Sequence, residues 1–179
     1  HPCVDWYFED TKTMYSVLVQ PGRGQQFVAQ HLTSFEDVLE NLTLIRAAYT
    51  SLSDPNGARC DIPWEDWRKM ILDVALGDPC RGTVIAFKSK NLKNLGLMVV
   101  FDDSESMSKR RLFIYAGYSN GLYKGAPTAA MEYVITWAKE NDFVAIGANS
   151  RRLSGAATRL FRKQLGFRPV AMLFERKIT

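Results

Sequence analysis

The chain is poor in the residues that build metal sites and disulfide frameworks. It has two histidines, His1 and His31, and three cysteines among 179 residues. Cys3, Cys60 and Cys80 are far apart and form no C-x-x-C pair, so neither a zinc site nor a disulfide scaffold is indicated. We therefore expect no metal site, and a reducing cytoplasm is the expected compartment.

Long apolar runs are also missing. No segment approaches the roughly 20 consecutive apolar residues that a membrane-spanning helix needs, and no secretory signal is visible. We therefore expect no membrane partner. With 46% hydrophobic and 12% aromatic residues, the chain can build a sizeable core, and its length fits a single domain over residues 1–179.

Positive charge is concentrated near the carboxyl end. The net charge is +4, but eight basic residues and one acid, Glu175, lie between Arg151 and Lys177. Such a stretch suits a phosphorylated ligand or a nucleic acid, or it is a solvated helix face. The absence of any recognised nucleic-acid motif makes nucleic acid the weaker hypothesis.

The first part of the chain predicts strands and then a helix. Residues 14–19 and 27–32 are short apolar runs around a Pro-Gly turn. Ser34 and Asp37 resemble a capping box, which opens a helix that should end before Ser51. Helical spacing predicts that one face of this helix is buried, formed by Phe35, Val38, Leu39, Leu42 and Ile45.

The remaining pattern alternates between strands and helices. A second helix begins at Pro63, and its apolar stripe is formed by Trp64, Trp67, Ile71, Val74 and Ala75. Strands are then predicted at 83–87, 95–101 and 111–116, a helix at 127–140, a strand at 143–148, a helix at 154–165 and a strand at 170–174. The order β(β)ααβββαβαβ predicts an α/β fold (an α+β mixed sheet) with helices flanking a central mixed β-sheet.

Two local sequences add to this order. Residues 125–142 contain the stretch Trp137-Ala138-Lys139-Glu140-Asn141-Asp142 near the end of a helix, and residues 148–167 end in Leu165-Gly166-Phe167. Both resemble the GCN5-related N-acetyltransferase (GNAT) family, and the element order is similar to that family's. The resemblance covers roughly residues 80–179, whereas residues 1–79 match in element order only.

The resemblance implies acetyl-coenzyme A as the cofactor and an amine, of a small molecule or a protein, as the acceptor. Backbone N–H groups at a helix N-terminus would hold the pyrophosphate. Arg151, Arg152 and Arg159 would reach a 3′-phosphate, or they are surface charge. The cofactor-binding residues implied are Ala116, Gly117, Leu122, Tyr123, Lys124, Gly125, Ala126, Thr128, Asn149 and Arg159. The thioester carbonyl would be polarised by a backbone N–H at Ala116 or Gly117.

The phosphate loop departs from the family's pattern of Gln/Arg-x-x-Gly-x-Gly/Ala. Leu122 replaces the Gln or Arg, and Pro127, which has no N–H, replaces the last small residue. Lys124 can supply charge in place of the missing arginine. Arg162 stands where many members carry a tyrosine that protonates the leaving thiolate, and an arginine does not donate its proton usefully.

No motif singles out a general base. A carboxylate, a tyrosine or a relayed water near the end of the 111–116 strand would suit that role, and the candidates are Tyr115, Tyr118 and Asp102. Each of them also has a purely structural interpretation, in core packing for Tyr115 or in a solvated hairpin loop for Asp102.

Two functions therefore remain open. The first is an acetyl-CoA-dependent N-acetyltransferase. The second is a catalytically inert domain of the same fold, used for binding or assembly, because some phage-encoded proteins resemble the family with similarly altered motifs. The fold alone does not decide between them.

Overall fold

A computed structural model of the chain describes residues 5–7, 15–19, 26–53, 62–104, 110–148, 159–164 and 166–168. Seven strands lie within these ranges: β1 Asp5–Tyr7, β2 Tyr15–Val19, β3 Gln26–Leu32, β4 Gly82–Ser89, β5 Asn94–Asp102, β6 Arg111–Ser119 and β7 Ala145–Ala148. The helices are α1 Phe35–Glu40, α2 Leu42–Ser53, α3 Trp64–Ala75 and α4 Ala126–Glu140, and a π-helical turn follows at Leu160–Gln164.

The strands form one sheet in chain order from β1 to β7. All neighbours are antiparallel except β6 and β7, which are parallel. This is the mixed sheet flanked by helices that the sequence predicts. β1 was not predicted, because three residues are too few to show an alternating pattern. The strand predicted at 170–174 lies outside the described residues.

Each face of the sheet has its own core. Val134, Trp137 and the rest of the inner face of α4 pack on one side. Helices α1 to α3 pack on the other side around Trp67, which is fully buried. The predicted stripe on α3 is confirmed, since Ile71 and Ala75 are buried with Trp67. Within the described ranges, no helix combines the length and hydrophobicity needed to cross a membrane.

The predicted buried face of the first helix is wrong for three residues. Phe35 and Leu39 are 52% exposed and Leu42 is 37% exposed. The helix is interrupted at Asn41 and continues as α2 to Ser53, beyond the predicted end. Two buried polar residues, Asp37 and Asn41, account for this change in the buried face of the helix.

Asp37 and Asn41 face the sheet in place of the expected apolar residues. Asp37 is buried because its carboxylate accepts from the N–H of Ser34 at 3.0 Å, which completes the capping box. Asn41 is buried because its amide donates to the carbonyl of Asp37 at 2.8 Å and to Gln30 Oε1 at 3.4 Å. A buried polar group must find such partners, so these bonds set the orientation of α1.

Arg110 joins three segments at the start of β6. Its guanidinium donates to the carbonyl of Asn141 at 2.7 Å, to the carbonyl of Cys80 at 3.1 Å and to Asp102 at 3.4 Å. It also lies over the ring of Phe143, 4.3 Å from the centroid. Arg110 therefore ties the end of α4 and the turn before β4 to the sheet.

Replacing Arg110 with glutamine should destabilise the fold. Hydrogen bonds to charged groups contribute about 1.5–3 kcal/mol, so Arg110→Gln should lower the free energy of unfolding by about 1–3 kcal/mol in urea denaturation. The control is Arg68→Gln, because the Arg68–Glu65 pair is exposed and such pairs contribute about 0–1 kcal/mol. Equal effects of the two substitutions would contradict the structural role of Arg110.

His31 forms a buried polar cluster between the sheet and α4. Its Nδ1 lies 2.8 Å from the hydroxyl of Thr83, and its Nε2 is hydrogen-bonded to the hydroxyl of Tyr133. Burial lowers the pKa of His31 from 6.5 to about 4. The neutral imidazole is thus the form that the folded state favours.

Stability should fall in mild acid for this reason. The pKa of His31 is lower in the folded state than in the unfolded state. The stability that its neutral imidazole contributes is therefore complete above pH 6.5 and is lost as the pH falls towards 4. About 3 kcal/mol is at stake, at ~1.4 kcal/mol per pKa unit. The free energy of unfolding, measured by urea denaturation between pH 7 and 4, should therefore fall more steeply for the wild type than for His31→Gln. If the free energies of unfolding of the two proteins changed with pH in parallel, the assignment of this pH dependence to His31 would be contradicted.

Candidate active site

Strand β6 has two neighbours, and among the described residues its pairing with the second covers only its first half. It pairs with β5 as far as Ser119, opposite Gly96. Its pairing with β7 runs only from Arg111 to Ile114. Among the described residues, no strand pairs with this edge of β6 beyond Ile114.

A β-bulge directly follows the last β6–β7 pair that the described residues contain. Val100 pairs with Ile114 but Val99 pairs with Ala116, so Tyr115 is the extra residue. Bulges bend a strand and increase its twist. Successive N–H groups of a strand point to opposite edges, so one of Ala116 and Gly117 directs its N–H to the unpaired edge.

Gly117 opens onto empty space on the α4 face of the sheet. It pairs with Met98, whose side chain belongs to the α4 core. A Cβ added at Gly117 would meet no atom of the described residues within 4 Å. The strand edge and this open space lie together at the carboxyl end of β6, and we call them the cleft.

Helix α4 begins directly after this cleft. Gly125 is the N-cap residue, with no side-chain cap, and Pro127 lies in the first turn. The N–H of Ala126 donates to the carbonyl of Tyr123 at 3.1 Å. The N–H groups of Lys124, Gly125 and Thr128 have no hydrogen-bond partner among the described residues.

Asn120 holds the loop that leads into α4. Its amide donates to the carbonyl of Asn94 at 2.6 Å, and its Oδ1 accepts from the N–H of Leu122 at 3.1 Å. Tyr123 then packs edge-on against Phe27, 6.3 Å between centroids. Sequence reasoning missed Asn120, although the Asn-Gly dipeptide at 120–121 is a turn signal that could have identified it.

The structure separates the three candidate bases. Tyr118 lies at the end of β6, half-buried against the core of α1–α3, and its hydroxyl has no hydrogen-bond partner among the described residues. Tyr115 packs between Trp67 and Phe101, with centroids 6.2 and 5.8 Å away. Tyr115 is thus part of the core.

Asp102 lies at the other end of β6 from the cleft. It pairs with Leu112, about 13 Å along the strand from Ala116 at ~3.3 Å per residue. Burial alone would raise the pKa of Asp102, but hydrogen bonds from Ser104 and the charge of Arg110 outweigh it, so this pKa lies below its ordinary value. The Asp102 carboxylate is held by these structural hydrogen bonds and is a weak base.

The remaining predicted site residues lie in the last part of the chain. Arg159 is exposed just before the π-helical turn, and Arg162 is exposed within it. Asn149 lies outside the described residues, as do most residues of the basic stretch. Ala116 and Gly117 lie near the end of β6, the loop from Leu122 to Thr128 follows that strand and opens α4, and Tyr118 faces the opposite side of the sheet from Gly117.

Solved structures of acetyltransferases share this architecture. The aminoglycoside acetyltransferase AAC(6′)-Iy, in complex with a bisubstrate analogue of CoA, matches with a TM-score of 0.64 and 11% identity over 86% of this chain and 99% of that one. AAC(6′)-Ih from Acinetobacter baumannii matches with a TM-score of 0.60 and 14% identity over 86% and 99%.

A protein acetyltransferase matches equally well. The ribosomal-protein-alanine N-acetyltransferase from Brucella melitensis has a TM-score of 0.60 and 13% identity over 84% of this chain and 99% of that one. No family model and no curated protein match the chain by sequence. The chain therefore has the GNAT fold that the resemblance predicted, and at these identities the likeness establishes the fold alone.

Proposed function

We propose that the chain is an N-acetyltransferase that takes an acetyl group from acetyl-CoA and transfers it to an amine. The observation that carries the proposal is the cleft at the end of β6, where an unpaired strand edge, the space beside Gly117 and the N-terminus of α4 meet. A related fold holds a CoA bisubstrate analogue. The proposal treats residues 1–179 as one acyltransferase domain.

The N-terminus of α4 fits a phosphate group. Three N–H groups that have no partner among the described residues, those of Lys124, Gly125 and Thr128, lie at the positive end of the helix dipole. The exposed ammonium of Lys124 adds a full charge. Pro127 contributes no N–H, so the loop offers fewer donors than a helix start without proline.

The strand edge fits the thioester end of the cofactor. Bound acetyl-CoA would supply an activated acetyl group next to Gly117. The edge N–H of Ala116 or Gly117 would then donate to the carbonyl oxygen and stabilise the charge that develops there. Because Gly117 has no side chain, the cofactor can approach the backbone closely.

Tyr118 is the residue best placed to act on the acceptor amine. Ala116 and Tyr118 face the α1–α3 layer, whereas Gly117 faces α4, so the acceptor can approach from the side opposite the cofactor. The side chain of Tyr118, as the phenolate, can accept a proton from the amine through a water molecule. An exposed Arg162 supplies no acid for the leaving thiolate, which leaves solvent as its proton source.

Filling the space at Gly117 should abolish cofactor binding without harming the fold. Calorimetric titration with acetyl-CoA should give micromolar affinity for the wild type, a modest loss for Gly117→Ala and no detectable binding for Gly117→Leu. Both variants should unfold at the same urea concentration as the wild type or higher, because glycine weakens a strand. A wild type that does not bind acetyl-CoA would favour the inert domain of the same fold.

Removing the Tyr118 hydroxyl should slow transfer rather than binding. With an acceptor found by screening amines, Tyr118→Phe should lower kcat by about 10²-fold, as expected for loss of a general base, and leave the affinity for acetyl-CoA unchanged. Tyr115→Phe is the matched control, and its kcat should change by less than about threefold since Tyr115 packs in the core. A kcat unaffected by Tyr118→Phe would remove Tyr118 from the mechanism.

A further inference from the structure

Two loops meet at the end of the sheet where the cleft opens. One is the turn between β4 and β5, residues 90–93, and the other leads from β6 into α4, residues 120–125. Asn120 joins them, because its amide donates to the carbonyl of Asn94 at 2.6 Å and its N–H to the carbonyl of Leu95 at 3.0 Å. The two loops therefore present one surface.

This surface is both apolar and basic. Leu92 is 61% exposed and Leu122 is 67% exposed, and three exposed lysines stand beside them. We call this set the leucine–lysine patch: Lys90, Leu92, Lys93, Leu122 and Lys124. Neither residues 89–94 nor residues 119–125 contain an aspartate or glutamate, so neither loop supplies an acid to neutralise the lysines.

The turn holds Leu92 outward in an unfavourable backbone conformation. Its φ of 57° lies in the left-handed region, which costs a side-chain-bearing residue about 1–2 kcal/mol. The N–H of Leu92 donates to the carbonyl of Ser89 at 2.8 Å, and the N–H of Lys93 to the hydroxyl of Ser89 at 3.1 Å. Such strain is concentrated at positions that contact ligands or partners.

Lys88, the next lysine along β4, does not belong to this surface. Its ammonium donates to Gln30 Oε1 at 2.6 Å, within the layer of α1–α3. The patch is thus confined to the two loops that border the cleft.

We propose that the leucine–lysine patch docks a small acidic carrier protein, and that the acyl thioester on its phosphopantetheine arm is a donor for this enzyme. This inference rests on the proposed acyl transfer. An acidic partner complements the unpaired lysines, and the leucines offer the apolar contact that the centre of a protein interface requires. The cleft beside Gly117 lies next to the patch, so an arm from the docked protein can enter it.

The phosphate loop is consistent with such a donor. A carrier-bound arm brings one phosphodiester, whereas CoA brings a pyrophosphate and a 3′-phosphate. Pro127 has no N–H, and the N–H groups of Ala126 and Leu122 are already bonded. The remaining donors, the N–H groups of Lys124, Gly125 and Thr128, match a single phosphate group better than two.

The transfer itself would be unchanged. The amine nitrogen attacks the thioester carbonyl, the new C–N bond forms as the C–S bond breaks, the proton lost by the amine passes through Tyr118 to solvent, and the leaving thiolate takes a proton from solvent. The products are the amide and the carrier protein with a free thiol. No further reactant is needed.

Binding can test the inference without knowledge of the acceptor. The probes are an acidic acyl carrier protein with an acetylated phosphopantetheine arm, the same protein without the arm, and acetyl-CoA. The wild type should bind the acetylated carrier with micromolar affinity. This binding should weaken as the salt concentration rises. The carrier without the arm should bind more weakly than the acetylated carrier. The variants Lys90→Glu/Lys93→Glu and Leu92→Ser should each weaken carrier binding by about tenfold or more and leave acetyl-CoA binding unchanged.

The control is Lys69→Glu, an exposed charge reversal on α3, which should bind the carrier like the wild type. Acetyl-CoA binding without carrier binding, or carrier binding that the patch variants leave intact, would overturn this inference and leave the proposed function standing. Failure to bind either donor would overturn both. Patch-dependent binding to vesicles of phosphatidylglycerol, with no carrier binding, would assign the patch to a lipid surface and also overturn the inference.

Discussion

The arrangement of the site depends on the backbone hydrogen bonding of β6. This strand is antiparallel to β5 along nearly all of its length and parallel to β7 over four residues only. The bulge at Tyr115 directly follows the last pair with β7 in the described part of the chain. A strand edge that leaves its partner must find other hydrogen-bond partners, and the cleft beside Gly117 is where a bound molecule can supply them.

Polar side chains in the core fix the elements around this strand. Arg110 holds the end of α4 against the start of β6 through its bond to the carbonyl of Asn141. On the other face, Asp37 and Asn41 orient α1 by their hydrogen bonds. Because these groups are bonded within the fold, a change in any of them is expected to affect stability before it affects chemistry.

The candidate bases illustrate how burial and bonding sort residues with similar chemistry. Tyr115 and Tyr118 are three positions apart, yet the bulge places Tyr115 between Trp67 and Phe101 and Tyr118 at the open end of the strand. Asp102, the only carboxylate among the candidates, is bonded to Ser104 and Arg110. Chemical type alone would have ranked the carboxylate first as a base.

The sequence by itself determined the element order and the position of α4 behind a glycine loop, because hydrophobic period and turn residues are local signals. It predicted the cofactor loop from Leu122 to Thr128 through a family resemblance. Only the tertiary structure decided which face of α1 is buried and where β6 separates from β7. Those features depend on hydrogen bonds between residues distant in sequence, such as Asn41 with Gln30 and Asn120 with Asn94, and no local pattern encodes such a pairing.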